Sequence, residues 1–277
     1  MPRTSKLNLI KNIRTLYSPL QPTIKKSNNS VIYCEHIPHL ELQPFIYCYW
    51  ELRTTSELKQ PFTYRVVTDG CIDIFFELKN PNHNFVMGFC KKYTEFPLEN
   101  SFHYIGVRFL PTIFPQVFKT DASLLSNKFQ LLSNISAATS EFIADTYSAD
   151  VFLNKVTSTF DEYFLDLINE KNFENDNRLY DAINIILQNF GVINLEKDID
   201  TGISHRQLRR LFTYYIGDTP KSFSKVVRFQ NILKAKPSTQ SLRKNKLFYD
   251  LGYYDQAHFI KDFKNFYGVT PSKAFGR

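Results

Sequence analysis

The sequence predicts an α+β protein in two parts, a β-rich sheet or small barrel with following helices and then an all-α domain. Three observations support this prediction. Short β-branched and aromatic runs separated by turn residues extend from residue 31 to about 110, and apolar residues at helical spacing follow them. The excess positive charge lies close to the C-terminus. The length of 277 residues also favours two domains over one.

The composition is that of a globular protein, with 43% hydrophobic and 16% aromatic residues and only 9 Gly. No segment approaches 18 consecutive apolar residues, and no apolar run of signal-peptide length follows the N-terminus, so the expected location is cytoplasmic with no membrane contact. The four Cys are spaced 14, 23 and 19 positions apart, which fits no zinc knuckle. We therefore expect reduced thiols, no metal and no cofactor.

The N-terminal half divides into a polar arm, residues 1–30, and an α+β sensing or dimerisation domain, residues 31–172. Five strands are predicted, at Phe45–Leu52, Phe62–Thr68, Cys71–Leu78, Asn84–Phe89 and Tyr104–Phe109. Beyond Pro115 the i, i+3, i+4 recurrence of apolar residues predicts helices over residues 124–132, 138–147 and 151–169.

A polar patch, Asn169–Asn177, precedes the all-helical domain, residues 178–277. The first predicted helix runs from Arg178 to Phe190 and ends at Gly191, which suits a left-handed C-cap. The remaining segments are a short one at residues 195–201, a helix at 204–215, a long basic helix from Pro220 to about Ala235, a short helix at 242–251 and a last helix at 255–266.

Two of these helices repeat one plan 51 positions apart. Ser204 opens the first and Asp255 the second, and both residue types favour helix N-caps. The first helix ends in Gly217-Asp218-Thr219-Pro220 and the second in Gly268-Val269-Thr270-Pro271. A repeated helix with the same stop signal indicates a duplicated function.

The charge distribution indicates what that function is. Residues 178–277 contain 17 Lys and Arg against 8 Asp and Glu, net +9, whereas residues 1–177 contain 17 against 19, net −2. Eight basic residues and no acid lie between Pro220 and Asp250. Such a basic domain fits a polyphosphate partner, although an anionic membrane would also attract it.

In the first repeated helix the apolar residues Leu208, Leu211, Phe212 and Tyr215 share one face. The candidate DNA-binding residues on its N-terminus and other faces are Ser204, His205, Arg206, Arg209 and Arg210. Arginine can contact both phosphates and the O6/N7 edge of guanine, and an exposed helix N-terminus can accept a phosphate. The pattern predicts a helix that enters the major groove.

In the second repeated helix the core positions are Phe259, Phe263 and Phe266. The candidate DNA-binding residues are Asp255, which also caps the helix, Gln256, Ala257, Ile260, Lys261 and Lys264. Glutamine matches the edge of adenine, and Ala or Ile can touch a thymine methyl. His258 has no His or Cys at i±3 or i±4, which favours packing or phosphate contact over metal binding.

The residues from Gly252 to Lys264, with Tyr267-Gly268-Val269-Thr270-Pro271, resemble the second-repeat signature of the AraC/XylS-type bacterial transcription regulators. The first repeat agrees through Ser204, Gln207-Leu208, Arg210-Leu211-Phe212, Gly217 and Thr219-Pro220, followed by Arg228. The resemblance implies two helix-turn-helix units joined by a long helix, with each second helix in successive major grooves of double-stranded DNA.

By motif position, the resemblance assigns Arg206 and Arg210 to contacts of the first repeat, and Gln256, Ala257, Ile260 and Lys261 to contacts of the second. It also implies RNA polymerase as a partner and an activator role. Two departures stand out. Lys197 and Asp198 replace a Leu-Ala pair in the helix before the first recognition helix, and Phe248 replaces a small residue in the second unit. The first of these helices is therefore expected to be shifted or shortened.

The N-terminal half is similar to the β-rich companion domain of some of these regulators, through Tyr49-Trp50-Glu51-Leu52, residues 68–74 and residues 106–111. That similarity implies effector sensing or dimerisation, and hence a small-molecule effector and a homodimer. The aromatic cluster of Tyr47, Tyr49, Trp50, Phe75 and Phe76 is expected to form core rather than a ligand cage.

Two other classes of protein remain open at this point. No Gly-rich phosphate loop, nucleophile elbow or H-E-x-x-H motif is present, so a catalytic role is not expected. The sharpest enzymatic alternative is a cysteine-based alkyl-acceptor sensor attached to the same DNA-binding module. A protein that binds RNA or another partner through its basic face is the third class, although the helix beginning at Pro220 carries more apolar residues than an exposed arm needs.

Overall fold

The computed structural model describes residues 13–22, 30–147, 153–171, 173, 176–235 and 252–275. Most of the polar arm of residues 1–30 lies outside this set. So does the predicted helix at 242–251, which includes Phe248.

Eight antiparallel strands build the N-terminal half. They are β1 (Val31–His36), β2 (Ile46–Thr54), β3 (Phe62–Val66), β4 (Ile72–Glu77), β5 (Asn84–Met87), β6 (Thr94–Leu98), β7 (His103–Phe109) and β8 (Phe129–Leu131). Six of them form one sheet in the order β1-β2-β7-β4-β5-β8, and β3 pairs with β6 separately. The β-rich N-terminal fold expected from the sequence is confirmed, including all five predicted strands.

The predicted helix over residues 124–132 is wrong. Two short 3₁₀ turns, Ala122–Leu125 and Leu132–Asn134, flank β8 instead. The Asp121 side chain caps the first turn by accepting from Ser123 N, and Asn127 takes a left-handed conformation with φ 57°. These two features reverse the chain, so the following apolar residues pair with β5 rather than continue a helix.

Besides a helical turn at residues 13–16, eight helices lie in the described chain. They are α1 (Ile113–Phe118), α2 (Ala137–Thr146), α3 (Leu153–Asn169), α4 (Asn177–Gln188), α5 (His205–Ile216), α6 (Pro220–Ala235), α7 (Gln256–Tyr267) and α8 (Pro271–Phe275). Helix α4 ends two residues before the predicted Phe190, and Phe190 and Gly191 are both left-handed. The predicted long helix after Thr219 is confirmed as α6, with Ser222 N donating to Thr219 Oγ1 at 3.2 Å.

Residues 195–201, where the first helix-turn-helix unit needs a helix before α5, form turns and bends only. The carbonyl of Asn194 accepts from Lys197 N at 3.1 Å and from Asp198 N at 2.8 Å. The Asp198 carboxylate in turn accepts from Asn194 N at 2.7 Å. The two residues that depart from the family pattern are therefore held in a locally hydrogen-bonded turn, which is one way for polar side chains to replace a helix.

The six-stranded sheet has a different neighbour on each face, and this divides the expected aromatic cluster. Tyr49 and Phe76 face the helices, with ring centroids 5.3 Å from Phe160 and Tyr147 respectively. Trp50 and Phe75 face the β3–β6 pair, because successive residues of a strand point to opposite faces. The predicted aromatic core is therefore divided between two apolar clusters, and Trp50 and Phe75 belong to the smaller one.

The helical domain packs against the helix-covered side of the sheet, and one buried apolar cluster runs through both parts of the chain. Phe223 of α6 lies at the centre of this junction. Its ring centroid is 6.2 Å from Tyr17 and 5.9 Å from Phe212 of α5. The two parts are consequently joined by shared core packing rather than by a bare linker.

Gly106 offers a direct test of the packing between the sheet and its β3–β6 cover. It lies in β7, opposite Trp50 on one side and Phe75 on the other. A Cβ added there would be 2.2 Å from Trp50 Cε2. We expect Gly106→Ala to lower the free energy of unfolding by about 1–3 kcal/mol through overpacking, as measured by urea denaturation.

The matched control is a double-mutant cycle with Trp50→Leu, which removes the indole. The two changes together should cost less than the sum of the single changes. Additive costs would show that Gly106 is required for some reason other than the indole.

Candidate nucleic-acid interface

Helix α5 begins at a capping box. Ser204 Oγ accepts from Gln207 N at 3.3 Å, and Gln207 Oε1 accepts from Ser204 N at 3.1 Å. Leu208, Phe212 and Ile216 are buried beneath the helix. Gly217 ends it in the left-handed conformation, φ 104°, as the sequence predicted. The cap and the apolar stripe together fix which face of α5 is presented to solvent.

That face is basic. Ser204, His205, Arg206, Arg209 and Arg210 are all exposed. In the part of the chain that the structure describes, none of the three arginines takes part in an ion pair. Their guanidinium groups are therefore available to an external anion.

An open groove of about 600 Å³ lies beside the same face. Gln207, Arg209 and Arg210 line it from α5, and Arg178 lines it from the start of α4. Asp121 of the N-terminal half borders the groove. Sequence reasoning did not include Arg178 or Asp121 in the site, because only the fold brings these distant residues to α5.

Helix α7 repeats the design of α5. The Asp255 carboxylate accepts from His258 N at 2.7 Å, and Phe259, Phe263 and Phe266 are buried. Gly268 ends the helix with φ 93°. The exposed residues include Asp255, Gln256, Ala257, Lys261 and Lys264.

Ile260 differs from its expected position on the outer side of α7. It is half-buried and packs against the core cluster. Only part of its side chain is accessible, so its capacity to contact a base is smaller than that of Gln256 or Ala257.

One ion pair attaches α7 to the connector helix α6, and a second contact within α7 shares its carboxylate. Lys225 Nζ is 3.3 Å from Asp262 Oδ2, and His258 Nε2 is 3.5 Å from the same oxygen. His258 therefore belongs to a charged cluster at the helix junction, in line with the expected packing role.

Arg228 of α6 is occupied by backbone carbonyls. Its Nη2 donates to Gly191 O at 2.9 Å and its Nη1 to Gly252 O at 3.0 Å, and its guanidinium lies 5.2 Å from the centre of the Tyr253 ring. It links the end of α4 to the start of the second unit. This basic residue has a structural task and is not free for phosphate.

The C-terminal ends of both repeated helices are held by one segment of the N-terminal half, residues 88–93, which we call the bridging segment. Lys91 Nζ pairs with Asp218 at 2.7 Å, just after α5. Lys91 O accepts from Asn265 Nδ2 at 2.9 Å, and Tyr93 N donates to Asn265 O at 3.1 Å, near the end of α7. These contacts leave the N-terminal halves of α5 and α7 exposed. No sequence signal indicated them.

Other kinds of site have little support in the described residues. No group of three or more His, Cys, Asp or Glu there could hold a metal ion. The four cysteines are free, and burial raises the pKa of the Cys48 and Cys71 thiols well above the usual value. No helix in the described ranges is long and apolar enough to cross a membrane.

Comparisons with known proteins agree with this geometry. Residues 200–277 match the family described as a helix-turn-helix domain, and residues 34–130 match a domain of unknown function, DUF6597. An uncharacterized HTH-type transcriptional regulator of Haemophilus influenzae is 36% identical over 102 residues, which cover 35% of this chain and 33% of that protein. The chain thus spans about a third of the length of this relative.

Solved structures of ToxT from Vibrio cholerae are also similar. The apo form of a ToxT variant from strain SCE256 has a TM-score of 0.39 at 13% identity, covering 91% of this chain and 98% of that chain. ToxT from strain O395 has a TM-score of 0.35 at 12% identity, covering 90% and 98%. These weak likenesses carry no weight beside the sequence match. Residues 200–277 of this chain are therefore similar to known helix-turn-helix domains.

Proposed function

We propose that this protein is a sequence-specific DNA-binding transcription regulator that reads two successive major grooves through α5 and α7. The observation that carries the proposal is the repeated helix with an exposed, capped N-terminus. Arg206 and Arg210 are available on the first copy, and Gln256 and Lys261 on the second. Arginine would contact phosphate or guanine, and Gln256 would contact adenine.

The two halves of the chain would have different roles. Residues 178–277 would bind DNA, and residues 31–172 would sense an effector or dimerise, because the bridging segment connects them to both recognition helices. A cytoplasmic location, a homodimer, contact with RNA polymerase and activation of transcription complete the proposal. The protein would have no catalytic role.

RNA or a protein partner is the second candidate for the basic face. Selection of bound duplexes from a random DNA pool, with the full-length protein at near-physiological salt, separates the two. Two enriched blocks about one helical turn apart would support the bipartite DNA interpretation. Absence of enrichment, together with binding to RNA at matched salt, would contradict it.

Two substitutions test the roles within the interface. Arg210→Ala should weaken binding to the selected duplex, because it removes an unpaired guanidinium from α5. Gln256→Ala should relax the preference at one base position by about 1–3 kcal/mol, because its amide would read a base edge. Fluorescence anisotropy with a panel of single-base variants of the duplex measures both.

Lys155→Ala is the matched control, since Lys155 is an exposed cation on α3 of the N-terminal half. It should leave the affinity almost unchanged. An equal loss on every duplex for Gln256→Ala would show that Gln256 contacts only the backbone.

Ser204 tests whether capping and DNA contact are separable. Ser204→Ala removes the N-cap of α5 and should lower the free energy of unfolding by about 1 kcal/mol. Ser204→Asp keeps a capping oxygen, so stability should be retained. The added negative charge should nevertheless weaken DNA binding, because the helix N-terminus would approach a phosphate. Urea denaturation measures the stability of each variant, and fluorescence anisotropy measures its DNA affinity. Full DNA affinity in Ser204→Asp would place the helix N-terminus away from the DNA backbone.

A further inference from the structure

A cavity of about 180 Å³ lies between the six-stranded sheet and its β3–β6 cover. Aromatic side chains from both layers make up half of the residues in its wall. Trp50 and Phe75 lie on the sheet with ring centroids 6.4 Å apart, and Phe96 of β6 meets Phe75 at 6.1 Å. Phe129 of β8 also lines the cavity and is 52% exposed, which places an opening there. The expected aromatic core therefore contains a ligand-sized space.

The charged part of the wall consists of Asp73 and Arg108. Arg108 has 2% of its side chain exposed, and its Nη2 donates to Asp73 Oδ2 at 3.0 Å. The indole Nε1 of Trp50 donates to the same oxygen at 2.9 Å. The aromatic wall and the carboxylate are thus joined by a direct hydrogen bond.

Arg108 has a single positive charge but contacts three carboxylates. Asp69 Oδ2 is 3.2 Å from its Nε, and Glu35 Oε1 is 3.3 Å from its Nη1. Glu35 is 31% exposed and partly screened by water, but the side chains of Asp69 and Asp73 are only 11% and 15% exposed. Two largely buried carboxylates therefore share one guanidinium. Burial raises the pKa of Asp73 to about 6, as expected where a second negative charge is poorly compensated.

An aromatic cavity with excess negative charge at one wall favours a positively charged guest. Ring faces attract cations, and this attraction grows when the cation is removed from water. An anion would meet a guanidinium that is already engaged by carboxylates. The volume is close to the ~150 Å³ that holds one benzene molecule, which limits the guest to about one ring.

We propose that this cavity binds a small organic ammonium compound, with its amine at Asp73 and its compact apolar body among Trp50, Phe75 and Phe96. The cavity walls include β5 and β6, which the bridging segment connects. A bound guest would therefore act on the segment that holds Asp218 and Asn265 at the ends of the two recognition helices. This regulatory consequence rests on the proposed DNA-binding function, whereas the binding site does not.

Trp50 is the only tryptophan in the chain, so its fluorescence reports directly on the cavity. The full-length protein is titrated, without DNA, with benzylamine, benzyl alcohol and benzoate, which share a ring and differ in charge. We expect a saturable change with benzylamine at a millimolar or lower dissociation constant, about tenfold tighter than benzyl alcohol, with benzoate weakest.

Asp73→Asn should remove the preference for benzylamine over benzyl alcohol. Leu98→Phe, which fills part of the cavity from β6, should weaken binding of both, and circular dichroism confirms folding of each variant. The comparison of benzylamine, benzyl alcohol and benzoate uses the wild-type protein. It therefore tests the proposal even if one of the variants fails to fold. Equal or tighter binding of benzyl alcohol or benzoate, or no saturable change up to about 10 mM benzylamine, would overturn the proposal.

A second measurement adds the selected DNA duplex. Benzylamine should change the DNA affinity of the wild-type protein by at least about threefold and leave that of Asp73→Asn unchanged. Saturable fluorescence with no DNA binding under any condition would contradict the proposed function while leaving the ammonium site in place. DNA binding without a fluorescence response would contradict the ammonium site and leave the proposed DNA-binding function in place.

Discussion

The buried guanidinium of Arg108 is the interaction on which the N-terminal half depends. From β7 it reaches Glu35 of β1, Asp73 of β4 and Asp69 in the loop before β4. An arginine with three carboxylates is costly to bury, and removal of Arg108 would leave largely buried carboxylates uncompensated. The cluster therefore fixes how these strands lie relative to one another. It occupies the sheet face that the β3–β6 pair covers, so the centre of that face is not packed by apolar side chains alone.

The same cluster extends to the helical domain through the loop that contains Asp69. Gln21 Nε2 donates to Asp69 Oδ2 at 2.9 Å, and Thr68 O accepts from Gln230 Nε2 of α6 at 2.6 Å. Gln230 Oε1 also accepts from Leu20 N at 2.8 Å. Polar contacts thus accompany the shared apolar core across the junction. Together with the bridging segment, they give the sheet two separate connections to the helical domain.

The sequence indicated much of this architecture, for physical reasons that differ between elements. The caps Ser204 and Asp255 and the left-handed Gly217 and Gly268 are local signals, so α5 and α7 were predicted closely. Lys197 and Asp198 led us to expect a shifted or shortened helix before α5, and residues 195–201 form turns and bends instead. Residues 124–132 were mispredicted because their apolar spacing fits a helix, whereas the pairing of Phe129–Leu131 with β5 decides their structure. The bridging segment and the Arg108 cluster depend on contacts between distant residues, which no local pattern encodes.

The bridging segment has a consequence for how such proteins diversify. A helical domain whose two repeated helices are held by contacts with the N-terminal half of the chain is not freely interchangeable. Grafting residues 178–277 onto an unrelated sensor would discard the partners of Asp218 and Asn265, both supplied by Lys91 and Tyr93. Recombination would then succeed only where the incoming sensor recreates that support, so the two halves are expected to be inherited together.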